Sequence, residues 1–207
     1  MSELDRSALV NLATHRAKKD KPNWRPVDLA TLHDGTYLAA DPSLSGFGLV
    51  FFEVAQPHRA VHFSKTFAVG PQSAVKGWED VLTRARMLQD RIAAYLAQWV
   101  FSTDWGVVHA VHESPPIGHG KLVSPEIALI ASYAFRQAVG DLPVLPMVRR
   151  QDHAKLVCGN PNATKQNHHR AVRGLLPAIT GGEEWITNES HRDALSVAIT
   201  AAHRGVS

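Results

Sequence analysis

The 207-residue chain has one cysteine, Cys158. That excludes an internal disulfide, a CxxC redox pair and a zinc–thiolate cluster. No run of about 18 uninterrupted apolar residues occurs, so no transmembrane helix and no membrane role is expected. Met1 to Asp5 lacks the basic-then-apolar order of a secretory signal, and a cytoplasmic setting is expected. No HExxH pattern organises the 12 histidines as zinc ligands. What remains is ordinary for a protein with a real core: 44% hydrophobic residues, 20% charged and a net charge of +3. Disorder along the whole length is excluded, because it needs low hydrophobicity and high net charge. The length suits one domain, or one domain with an appended arm.

The small net charge hides an uneven distribution. Between positions 121 and 173 stand eight basic residues: Lys121, Arg136, Arg149, Arg150, Lys155, Lys165, Arg170 and Arg173. Only Glu126, Asp141 and Asp152 oppose them. Such a surface attracts polyanions in a salt-dependent way, although a plain solvated face has the same composition.

Residues 1–35 read as a basic, proline-punctuated arm and 36–207 as the folded domain. Tyr37 to Ala40 is an apolar strand ending at Asp41. Pro42 to Gly46 is turn chemistry, and Phe47 to Phe52 is the second strand. A third strand is expected over 59–69. Apolar residues from Trp78 to Trp99 at three- and four-residue steps predict a long amphipathic helix. Gly106 to His112 is a fourth strand ending at Glu113. Ser124 and Pro125 open a helix to Val139, Val144 to Val148 is a fifth strand, and helices follow over 164–176 and 189–203. Hairpin strands first and strand–helix units after predict an α/β fold, a mixed five-stranded sheet flanked by helices.

Three carboxylates fall at element ends or on the last helix: Asp41, Glu113 and Asp193. Ligands of α/β sheets gather at the carboxyl ends of central strands. Clustered carboxylates repel one another unless a cation neutralises them, and oxygen-only ligands select a hard cation. Each acid also has a purely structural reading. Asp41 suits a turn, Glu113 a solvated strand end, and Asp193 the acid of a capping box begun by Ser190.

The segments around these acids resemble the RuvC family of Holliday junction resolvases, within the RNase H-like superfamily. Leu38-Ala39-Ala40-Asp41-Pro42-Ser43-Leu44-Ser45-Gly46-Phe47-Gly48 is similar to that family's first strand and turn. Val107 to Glu113 is similar to its strand ending in Glu, and Arg192 to Thr200 to its closing catalytic helix. Val157 to Gln166 is similar to its glycine-then-A-x-K segment. The four motifs occur in order from about Tyr37 to His203.

The resemblance implies an RNase H-like fold, a homodimer, and four-way or other branched DNA as the substrate of an endonuclease. It implies Mg²⁺, with Mn²⁺ as a substitute, held by Asp41, Glu113 and Asp193. It implies Lys165 near the scissile phosphate or the DNA backbone. The basic segment is expected to carry the DNA contacts, through Lys121, Arg149, Arg150, Lys155, Lys165, Arg170 and Arg173. The family's fourth ligand, three residues before the last Asp, is Ser190 here. Glu189, four residues before, shares a helical face with Asp193, whereas His191 does not, so Glu189 is the expected fourth catalytic ligand. The aromatic wedge after the strand-four Glu is absent, and the divergent arm suggests a phage-type member acting in a host cytoplasm. Two other functions compete: a non-catalytic DNA-binding protein of the same fold, and an actin-like ATP-binding protein, which Asp41 to Gly48 also fits. The Pro125 to Val139 helix is the candidate dimer interface, with a plain core helix as the alternative.

Overall fold

The structure is a computed structural model describing residues 27–44, 46–70, 77–115 and 123–205, with side chains after the third gap described from Ile127 onward. Residues 1–26 of the expected arm, and Lys121, lie outside the described residues. Four strands, β1 (Gly35–Asp41), β2 (Phe47–Ala55), β3 (His58–Phe67) and β4 (Val108–His112), form one sheet in the order β3-β2-β1-β4. The helices are α1 (Trp78–Trp99), α2 (Val123–Ala138), α3 (Arg150–Cys158), α4 (Lys165–Leu175), α5 (Gly182–Trp185) and α6 (Glu189–Arg204).

Loop length decides strand direction. Short turns make β1–β2 and β2–β3 antiparallel, while the long crossover through α1 returns β4 parallel to β1. Alternation along β1 divides the core. Tyr37 and Ala39 face a cluster built with α3, α4 and α6; Leu38 and Ala40 face one built with α1 and α2. Both sheet faces are therefore covered, which explains the near-continuous apolar runs of β1 and β2.

The expected fifth strand is not formed as such. Among the described residues the sheet has four strands, and 144–148 touches β4 through isolated parallel bridges at Ala110–Val144 and Glu113–Val148. The Leu145 amide donates to the Ala110 carbonyl (2.8 Å), and the Val148 amide to that of His112 (3.0 Å). Three residues thus advance on one side for two on the other. Pro146, which has no N–H to give, stands at the break.

The folded unit also begins before residue 36. Val27, Leu29 and Leu32 are buried in the α6-side cluster, and the His33 amide donates to the Ala202 carbonyl at 2.9 Å. The apolar face of α2 belongs to this chain's own core: Ile127, Ala131, Ala134, Phe135 and Ala138 are buried. Those residues are spent within the monomer and do not offer the dimer surface expected of them. Among its described side chains, Leu129 and Tyr133 are the large apolar ones left exposed.

Candidate active site

Strand alternation brings the first two acids together. Ala40 pairs with His112 across β1 and β4, and the Glu113 amide donates to the Ala40 carbonyl at 3.0 Å. Asp41 and Glu113 are therefore the next neighbours on parallel strands. Tyr37, Ala39 and Asp41 share one face of β1, as Val111 and Glu113 share one face of β4, and this is the face that α6 covers.

α6 supplies the third acid. Its N-cap is Asn188, whose side-chain oxygen accepts from the His191 amide. The capping position is thus filled two residues before Ser190, and Asp193 lies in the second turn with no capping role. A Cβ at Gly48 would run into the Ser190 carbonyl, so glycine in β2 lets the start of α6 approach the β1–β2 turn. Asp41, Glu113, Lys165, Ser190 and Asp193 consequently line one cleft of about 650 Å³, with Arg149 and Arg150 along it.

The acids differ in their electrostatics. Burial raises the Asp41 carboxyl to about 8, and the nearby charges of Glu113 and Asp193 push the same way against Lys165 and Arg150. Burial also pushes Asp193 up, but the His168 hydrogen bond and the charges of His169 and His168 outweigh it. Asp193 is held at about 2. Its Oδ1 lies 3.0 Å from His169 Nε2 and 3.3 Å from His168 Nδ1.

These histidines were not expected at the site. His168 Nε2 lies 3.1 Å from Nδ1 of buried His153, and His153 Nε2 lies 3.6 Å from Glu113 Oε2. Ser196 Oγ also reaches His153 Nδ1, at 3.1 Å. A buried pair of imidazoles therefore spans the distance between Glu113 and Asp193. Burial pushes His168 below its ordinary range despite the bond to Asp193. The usable signal was the adjacent pair His168-His169, three and four residues after Lys165 on one helix. Recognising it required α3, which carries His153 and was not anticipated.

Lys165 opens α4 after Thr164, whose hydroxyl caps the Asn167 amide. Its Nζ lies 3.0 Å from Glu189 Oε2 and 3.9 Å from Asp193 Oδ2. Burial works against its charge, but Glu189, Asp193 and Asp41 outweigh that and raise its pKa. Glu189 stands on the rim, its side chain 62% exposed, beside Lys165 and outside the lining of the cleft. His191 turns toward β3 instead: Nδ1 lies 3.1 Å from the Trp185 carbonyl, and Nε2 lies 2.9 Å from Thr66 Oγ1. Of the expected basic residues, Arg149 and Arg150 line the cleft, while Arg170 and Arg173 line a neighbouring pocket with Lys165. Lys155 is exposed away from both pockets.

A divalent cation fits the donor set. The carboxylates of Asp41 and Glu113 are hard oxygen ligands, and desolvation together with the charges of Glu113 and Asp193 disfavours a bare Asp41 carboxylate. Ligand atoms of His168, His169 and Asp193 lie within 4.8 Å of one another, so the helix side adds nitrogen donors.

No family model matches the chain, and no curated protein does either. Solved structures do. Thermus thermophilus RuvC, solved in complex with a Holliday junction substrate, superposes with a TM-score of 0.60 at 18% identity, over 83% of this chain and 94% of that one. A second Thermus thermophilus RuvC structure gives 0.54 at 19% identity, over 82% and 94%. The yeast mitochondrial Holliday junction resolvase Ydc2 gives 0.55 at 11% identity, over 91% and 84%. At such identities the likeness is one of architecture. The chain has the α/β fold of the RuvC and Ydc2 resolvases.

Proposed function

We propose that the protein is a metal-dependent endonuclease that hydrolyses phosphodiester bonds in Holliday junctions or other branched DNA. The observation that carries this reading is the convergence of Asp41, Glu113 and Asp193 on one cleft edged by Lys165, Arg149 and Arg150. Clustered acids, shielded in part from water and with cations beside them, suit a site that takes a phosphate and a divalent cation together. A non-catalytic DNA-binding protein has no use for a half-buried Asp41 that desolvation, with the charges of Glu113 and Asp193, raises to about 8.

Asp41, Glu113 and Asp193 would hold Mg²⁺, with Mn²⁺ as a substitute; Glu189, one turn before Asp193, is the further acid within reach. A bound divalent cation would lower the pKa of the attacking water and stabilise the leaving oxygen. The chain's own groups do the rest. Asp193, held ionised by two imidazoles, keeps its oxygens as acceptors. Lys165 sets a positive charge beside the acids, where charge develops on the phosphoryl oxygens. Arg149, Arg150, Lys155, Arg170 and Arg173, with Lys121, bind the backbone. Two such sites on a homodimer would match the two-fold symmetry of a four-way junction. The phage-type origin suggested by the divergent arm belongs to the same proposal.

The test is a cleavage panel of four-way, three-way, flap and linear duplex DNA in Mg²⁺, Mn²⁺ and EDTA. Cleavage of branched substrates that EDTA abolishes is the expected result. Full activity in EDTA, or no cleavage of any substrate, overturns it.

A further inference from the structure

The groove between α4 and α6 holds a second pocket, of about 360 Å³, adjoining the cleft through their shared residue Lys165. Lys165, Arg170, Arg173 and Arg192 line it, with Glu189 as its one carboxylate. That carboxylate is already engaged by Lys165, 3.0 Å away.

Arg192 is the unusual member. It is only 6% exposed, and its Nε has no hydrogen-bond partner among the described residues. A buried guanidinium nitrogen without a partner is costly, because its solvation is lost and nothing replaces it. Arg170 and Arg173, both exposed, stand one turn apart on α4 and form the outer wall. A guanidinium fork matches the paired oxygens of a phosphate in size and planarity, so the missing partner has the chemistry of a phosphate group.

We propose that this pocket binds one phosphodiester group of the DNA strand next to the one that is cut, with Arg192 as the inner ligand and Arg170 and Arg173 as the outer ones. The assignment rests on the nuclease reading for its ligand and adds Arg192, which lies outside the basic stretch that the sequence singles out. It makes three arginines serve one phosphate. General surface attraction would have each serve a different one.

The experiment measures binding of a synthetic four-way junction in EDTA by the wild type, Arg192→Gln and Arg170→Gln. In the DNA, one phosphate at a time near the cut is replaced by a neutral methylphosphonate. The wild type is expected to lose about tenfold in affinity at one position. Each variant is expected to lose a similar factor on the unmodified junction and nothing more at that position. The slope of log affinity against log salt should fall by about 0.9, one phosphate's share. Arg170 is exposed, so its variant carries the test even where Arg192→Gln lowers the folded fraction seen by circular dichroism. Variants that keep the wild-type sensitivity at every position overturn the proposal. The two readings fail differently. The methylphosphonate signature without cleavage in Mg²⁺ or Mn²⁺ keeps the phosphate site and overturns the nuclease. Cleavage with profiles unchanged by the substitutions does the reverse.

Discussion

The two walls of the cleft solve the same problem in opposite ways. On the strand wall, Asp41 and Glu113 stand side by side at the ends of β1 and β4, and burial and like charge lift Asp41 to about 8. On the helix wall, Asp193 is buried yet sits at about 2, because His168 and His169 bond to it. The helix wall brings its own compensation. The strand wall leaves a charge for a cation to neutralise. Burial alone therefore does not set a carboxylate's state; the polarity of what is packed against it does.

The sharpest way to break this contrast is Asp41→Asn. It removes a proposed cation ligand and one negative charge with almost no change of volume. Cleavage should fall to background while junction binding in a gel-shift assay stays equal or tightens. Next in size is Gly48→Ala, which drives the start of α6, and the helix wall with it, away from the β1–β2 turn. Overpacking of this kind costs about 1–3 kcal/mol, to be read as a lower urea midpoint together with reduced cleavage. His168→Ala should erode the helix wall from within. Asp193 loses a bond partner, at a cost of about 1–3 kcal/mol, and its pKa should move up from about 2 toward the ordinary carboxylate range. A group held low in the folded state stabilises it above the unfolded pKa and loses that contribution as pH falls through the folded value. The variant's acid unfolding midpoint should therefore move to higher pH. Glu189→Gln should have the smallest effect, because its carboxylate is exposed and meets Lys165 outside the lining of the cleft. Exposed pairs are worth about 0–1 kcal/mol, so stability should barely change. A cleavage loss as large as that of Asp41→Asn would instead make Glu189 an essential ligand.

The strand wall was legible in the sequence and much of the helix wall was not. Apolar runs that end in an acid announce the ends of β1 and β4, and the run from Phe47 places β2. The same alternation places Asp41 and Glu113 on one face, which made the acid cluster readable without coordinates. Asp193 was readable as an acid on the last helix. Its partners were not, because they come from α3 and α4, elements ordered by tertiary packing. α3 has nine residues, and its buried set, His153, Ala154, Val157 and Cys158, contains a histidine that periodicity counts as polar. The fifth strand failed for a local reason: Val144 to Val148 has strand-like composition, but Pro146 cannot donate to the ladder and the pairing slips there. The apolar stripe of α2 was visible, but which surface it meets is a tertiary fact; it is this chain's own core.

The most direct test of the contrast is thermal melting between pH 4 and pH 8, with and without Mn²⁺, for the wild type and Asp41→Asn. An acid whose folded pKa lies above its unfolded value is protonated in the folded state while the unfolded chain has already released its proton. Raising the pH then costs up to about 1.4 kcal/mol per unit between the unfolded value near 3.8 and the folded value of about 8. The account predicts that cation-free wild type loses stability across this window, that Mn²⁺ restores it most at pH 8, and that Asp41→Asn shows neither effect. A wild-type melting temperature at pH 8 that Mn²⁺ leaves unchanged, and that Asp41→Asn does not exceed, would contradict it.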